Sequence, residues 1–152
     1  FPGVREYWRW VEEDLYKDRT LVNLYGHKRR FMGKWGHELF KDAYAHIPSS
    51  TVVDKINLDG LMILYEVPEV ELLNQVHDSI VFQIPTKLRF EEHRRIVLGL
   101  VESLEKPLHW RDTTFSIPAE VEVGFDLKNT ESVDPKDEQG FIETLEDLWL
   151  GN

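Results

Sequence analysis

A chain of 152 residues with 41% hydrophobic and 12% aromatic residues has material for one packed domain or one piece of a larger one, and excludes disorder throughout. The lack of cysteine excludes a disulfide framework, a thiolate zinc site and a cysteine nucleophile. A net charge of -10 argues against a stand-alone nucleic-acid binder, but it is unevenly placed: residues 1–50 hold nine Lys/Arg against seven Asp/Glu, and residues 51–152 hold nine against twenty-one.

In chain order, Val4, Trp8, Val11 and Leu15 recur at helical steps and predict an amphipathic helix over 4–17, with Pro2-Gly3 as a turn before it and Glu12, Glu13 and Asp14 outside the stripe. Thr20 to Tyr25 predicts a strand ending at Gly26, followed by the basic run His27-Lys28-Arg29-Arg30. Gly33 and Gly36 bracket Trp35 in a loop. A helix from Glu38 is expected to stop at Pro48, because proline is not tolerated inside a helix. Thr51 and Asp54 then stand at capping-box spacing for a new helix from Ser49 to Tyr65, burying Val52, Val53, Ile56, Leu61 and Leu64. Leu72–Val76 and Ile80–Ile84 predict two strands of a tight hairpin closed by Pro85. Phe90, Val97, Leu100, Val101 and Leu104 fit one helical face. Phe115 to Val123 alternates as a strand, with Pro118 marking an edge or bulge. The segment from Asn129 holds seven acidic residues and one lysine, with a short helix at Phe141–Leu148 and apolar anchors at Trp149 and Leu150. It reads as a solvated extension or as a docking segment for a partner protein.

Only His77-Asp78-Ser79 separates the two hairpin strands. An acidic hairpin tip on a rigid sheet can hold a divalent cation, since hard ions such as Mg²⁺ select carboxylate oxygens. The competing reading is that His77 and Asp78 are ordinary turn residues.

Gln75-Val76-His77-Asp78 followed by apolar residues resembles motif C of the family A (DNA polymerase I-like) DNA polymerases. Four further blocks are similar to that family in the same order. They are Phe1-Pro2-Gly3-Val4 with Tyr7, Thr20 to Arg30 with its basic run, Ala45 to Asp54 around Ile47-Pro48-Ser49-Ser50-Thr51, and Pro107-Leu108 with Val121 to Gly124. Together they cover about residues 1–127. The resemblance implies an α+β palm portion, a small antiparallel sheet holding the motif C hairpin and the 115–123 strand with helices 49–65 and 90–105 on its back. It divides the chain into 1–37, a helix and basic strand-turn leading from the fingers; 38–128, the palm portion; and 129–152, an acidic extension.

By the same resemblance Asp78 binds two catalytic Mg²⁺ ions shared with an aspartate outside this chain. His77 lies near the primer terminus, and Gln75, expected on the same strand face as His77, contacts the minor groove. Lys28, Arg29 and Arg30 pair with DNA phosphates, Lys41 sits near the primer strand, and Ser49 stands where many relatives have a minor-groove glutamine. The rival readings are a solvated basic turn for Lys28–Arg30, a plain helix-surface lysine for Lys41, and packing rather than base stacking for Trp35 and Tyr44. Ser79 replaces a glutamate common in relatives, and Phe125 replaces the usual tryptophan after Gly124.

No motif A aspartate strand and no fingers helix occurs in the sequence, which begins at Phe1. The expectation is therefore a component of a DNA-directed DNA polymerase. It would act on primer-template DNA and dNTPs, with an N-terminal fragment or second chain bringing motif A, fingers and thumb. The alternatives are a non-catalytic polymerase-derived DNA-binding or assembly module and, more remotely, a His-Asp metal phosphohydrolase. The apolar runs are too short to cross a bilayer, so a cytoplasmic location in a bacterium or virus-infected cell is expected.

Overall fold

Two apolar clusters organise the chain, and the computed structural model, which describes residues 2–151, is α+β. The first cluster gathers Val11, Leu15, Leu21, Phe31, Leu39, Ala43 and Ile47. They come from helix α1 (Pro2–Asp18), the strands β1 (Thr20–Val22) and β2 (Lys28–Arg30), and helix α2 (His37–Lys55). Pro2 opens α1, as proline does at a first helical position, so the expected Pro2-Gly3 turn is the first turn of the helix itself.

The buried stripe of α1 is rotated from the expected one. Val11 and Leu15 are fully buried, but Val4 and Trp8 are each 44% exposed. Tyr7 and Trp10 pack inward in their place, Trp10 edge-on to Trp110 with 4.8 Å between ring centroids.

Helix α2 runs straight through Pro48, against the expected break. The proline removes the N–H that would bond the carbonyl of Tyr44, four residues earlier. Tyr7 supplies the missing donor: its hydroxyl bonds that carbonyl at 2.8 Å. Burial pushes the Tyr7 hydroxyl up to about 12, so it remains a donor at any ordinary pH. Tyr7→Phe is therefore expected to cost about 1–3 kcal/mol, the penalty of an unmet acceptor. In a Pro48→Ala background residue 48 regains its N–H and that cost should shrink. Urea denaturation of the four proteins of this cycle measures the coupling, and strictly additive losses would refute the compensation.

The expected capping box at Thr51 and Asp54 does not form, because both lie inside α2. Thr51 is buried, and its hydroxyl accepts from the Leu24 backbone N–H at 3.4 Å. Beyond Lys55 the helix widens into a π-helical turn, Ile56–Leu61, and continues as α3 (Met62–Tyr65). Of the residues expected to be buried here, Ile56 and Leu64 are, while Val53 is 45% exposed.

The second cluster places Leu64 against Ile96 and Leu100 of α4 (Phe90–Leu104) and against the hairpin β3 (Glu71–Val76) and β4 (Ser79–Gln83), through Leu72, Ile80 and Phe82. Gly60 lets these layers approach. A Cβ there would lie 2.6 Å from Ile80 Cδ1 and 3.2 Å from Leu104 Cδ2.

Among the described residues strands pair only with their sequence neighbours, as four two-stranded antiparallel sheets: β1–β2, β3–β4, β5 (Leu108–Trp110) with β6 (Thr113–Phe115), and β7 (Val121–Val123) with β8 (Glu131–Val133). The expected 115–123 strand is split, with Pro118 between β6 and β7, and among the described residues neither piece joins the hairpin. Proline has no N–H to offer a ladder there.

The acidic segment folds back on the chain. Helix α5 (Glu138–Leu150) packs along α4 and β8 and buries Phe141, while Arg94 meets Glu138 at 3.1 Å and Lys136 meets Glu105 at 2.5 Å. All seven acidic residues of the segment are exposed, and the expected short helix at Phe141–Leu148 lies within α5. Trp149 reaches the rings of Phe90 and Phe125.

Candidate functional site

The hairpin forms as expected, with the second strand beginning one residue earlier at the turn. Ser79 pairs with Val76, leaving His77 and Asp78 as a two-residue loop. His77 takes φ 54, a left-handed conformation that histidine adopts more readily than most residues. Strand alternation stops at Val76, so His77 is placed by the turn and not by the periodicity that would set it on the face of Gln75. Ser79 ties the turn down by donating from its hydroxyl to the Val76 carbonyl at 2.8 Å. Asp78 and His77 are exposed, and neither has a side-chain hydrogen bond or ion-pair partner among the described residues.

Gln75 is anchored. Its Nε2 donates to Asn57 Oδ1 at 3.2 Å, linking β3 to the π-helical turn. Asn57 is the end of a polar line along one helix face, Ser50, Asp54 and Asn57, at steps of four and three. At the other end, buried Asn23 donates from Nδ2 to Asp54 at 2.6 Å and to Ser50 at 3.1 Å, while its Oδ1 accepts the backbone N–H groups of Tyr25 and His27. Gly26, with φ 86, completes that turn. The helix thereby holds two hairpins, the basic β1–β2 pair and the Asp78 hairpin, in one fixed relation. The sequence reading missed Asn23, Asp54 and Asn57 in this role.

The remaining site candidates are distributed along this frame. Lys28, Arg29 and Arg30 are a strand and not a turn, all three exposed. Arg29 lies 3.5 Å from Asp42 and over the ring of Phe31, while Lys28 and Arg30 have no ion pair among the described residues. Lys41 and Ser49 are exposed positions of α2, about two turns apart. Among the described residues no three His, Asp or Glu side chains converge into a metal-binding group.

Comparisons with family models, with curated proteins and with solved structures find no match to this chain. Among the described residues no helix is long and apolar enough to cross a membrane.

Beneath the polar line lies His46, buried, with Nε2 lacking a partner and its ring against Phe31 and His27. Burial, and then the charges of Arg29 and His27, hold its pKa below the usual 6.5, with Asp54 opposing. An unfolded chain takes up this proton near pH 6.5 and the folded chain only at lower pH, so the contribution is present above 6.5 and lost as the pH falls below it. His93 behaves alike, since burial lowers it more than its bond to the Pro85 carbonyl raises it. The urea midpoint is expected to fall between pH 7.5 and 5, and to fall less in His46→Gln. An unchanged slope in that variant would assign the acid sensitivity elsewhere.

Proposed function

We propose that this chain is the palm portion of a family A-like DNA polymerase, contributing one metal-binding carboxylate to template-directed nucleotidyl transfer. The observation that carries the proposal is Asp78: an exposed, unpartnered carboxylate at the tip of a hairpin whose base is packed on two helices. Nothing in the chain's own packing uses it. Its oxygens would suit a hard divalent cation, and further ligands would have to come from a second acidic segment, since no group of three ligating side chains forms among the described residues. When bound there, Mg²⁺ ions would activate the primer hydroxyl and offset charge at the α-phosphate.

The chain's own residues would position the DNA. Asn57 fixes Gln75 for contact with base edges, and His77 lies beside Asp78 for the primer terminus. Lys28 and Arg30, unpaired on β2, would take phosphates, with Arg29, Lys41 and Ser49 along the same frame. Phosphate contacts of this kind fix register without reading sequence.

The test is reconstitution. The chain mixed with a polypeptide carrying motif A, fingers and thumb should extend a primer with dNTPs in Mg²⁺, and neither part should do so alone. An inert mixture that still binds primer-template DNA would favour the second reading, a non-catalytic DNA-binding or assembly module. That reading draws on the unpaired cations of β2, which need no metal.

A further inference from the structure

Five aromatic rings form a row across α1, the Gly33–Gly36 loop and α2. Trp8 stacks on Tyr44 at 5.3 Å with planes 25° apart, and Tyr44 on Phe40 at 6.3 Å and 20°. Phe40 meets Trp35 at 5.8 Å and 36°, and Trp35 stacks on Tyr16 at 4.7 Å and 23°. The inner rings, Phe40 and Tyr44, are half-buried and belong to the first core. The outer rings are not: Trp8 is 44% exposed, Trp35 45% and Tyr16 66%. Trp8 stacks on the row through Tyr44 and Tyr16 through Trp35, and both keep a large share of their surface in solvent. On α1 they are eight residues apart, about 12 Å along the axis, which is the reach of a few nucleotides.

Cations flank the row. Arg5 and Lys41 stand three residues before Trp8 and Tyr44, which makes them neighbours on their helix surfaces. Lys34 directly precedes Trp35, and the Arg19 guanidinium lies 4.3 Å over the Trp35 ring. Arg5, Lys34 and Lys41 have no ion-pair partner among the described residues, where the ion pairs lie elsewhere. The carboxylate in contact with the row, Glu12, accepts a hydrogen bond from the Tyr44 hydroxyl.

Open π faces beside unpaired cations are the two components of sequence-independent single-strand binding, in which bases stack on rings and phosphates follow the charge. A duplex offers only its phosphates, because its bases are already stacked. We propose that this face binds single-stranded nucleic acid, with bases stacking on Trp8 and Tyr16 and the backbone held by Arg5, Lys34 and Lys41. The proposal stands independently of the metal reading at Asp78.

The experiment is fluorescence anisotropy of a labelled twelve-nucleotide oligo(dT), with a duplex of equal length as comparison, on the whole chain. The single strand should bind more tightly than the duplex. Trp8→Leu and Tyr16→Leu should each weaken it about 5- to 100-fold, from the usual worth of one base–aromatic stack. Trp8→Phe should keep most of the binding, and circular dichroism should show all variants folded. Lys34→Gln should lower the salt dependence by about 0.7 in the log–log slope, one phosphate's share. Folded leucine variants that bind as the parent does, a preference for duplex, or no binding at low salt would each overturn the proposal, the last leaving the row as a face for a protein partner.

Discussion

Under the proposed function, Asp78→Asn is expected to slow primer extension by the reconstituted mixture about a thousand-fold or more, with the chain's own stability unchanged within about 0.5 kcal/mol. The two halves of this expectation come from the same fact. Asp78 is exposed at the hairpin tip and has no side-chain hydrogen bond or ion pair among the described residues, so an isosteric amide breaks no such bond in the fold. If the proposed role is right, the amide does remove an anionic donor whose contribution to stabilising transition-state charge is several kcal/mol, and each 1.36 kcal/mol is a factor of ten. Single-nucleotide extension rates and urea midpoints of the same preparations separate the effects. A variant that extends at full speed removes Asp78 from the metal site. One that is slow because it is unfolded would move the urea midpoint as well. His77→Ala, one position away in the same two-residue loop, tests placement: its loss should be smaller than that of Asp78→Asn, because it would hold no metal.

What the sequence made legible followed from short-range rules. The hairpin is written in two apolar runs with period-two character separated by three residues, and its end is marked by Pro85. Only the left-handed turn at His77 shifted the boundary by one residue. Helix α4 was equally plain, since its apolar face recurs at three and four. The continuous α2 was not legible, because the group that makes Pro48 tolerable is the hydroxyl of Tyr7, thirty-seven residues before the Tyr44 carbonyl it bonds and identifiable only in three dimensions. The same hydrogen bond explains the rotated face of α1. Seating Tyr7 on the Tyr44 carbonyl turns Trp8 outward and opens its ring to solvent.

The site was half legible for a related reason. Asp78 and Gln75 lie in one contiguous hairpin segment that local pattern places, whereas Asn23, Asp54 and Asn57 are single polar residues whose contacts depend on long-range pairing. The spacing of Ser50, Asp54 and Asn57 on one helix face was a signal in the sequence. It could have been read as a polar spine had α2 not been cut at Pro48. In the acidic C-terminal segment the short helix was legible from its apolar residues, and its packing along α4 was not. Phe141 is buried, and the ion pairs Arg94–Glu138 and Lys136–Glu105 fasten the acidic helix to α4 and the chain after it.

Beneath the hairpin, Asp59→Leu is expected to destabilise the chain by about 3–5 kcal/mol, more than Lys55→Met at the other end of the same ion pair. Lys55 is 3% exposed, and its ammonium has two acceptors, Asp59 Oδ2 at 3.2 Å and the Lys106 carbonyl at 3.0 Å. Removing Asp59 strands a buried cation on one neutral carbonyl, which is the costly way to break a buried pair. It also takes the acceptor from the Tyr25 hydroxyl, bonded to Asp59 at 2.5 Å and, through burial and then that carboxylate, held well above its ordinary pKa. Removing Lys55 is milder, because the Asp59 side chain keeps 21% of its surface in water and retains Tyr25. The double variant Lys55→Met/Asp59→Leu should recover much of the loss, since an apolar pair leaves no buried charge. The position gives the pair its consequence. It spans the junction of α2 with the π-helical turn and ties it to the loop after α4, directly behind Gly60, where the hairpin rests. Urea denaturation of the two single variants and the double at neutral pH measures the asymmetry. Lys55→Met as the worse single variant would mean that water, and not Asp59, satisfies the ammonium.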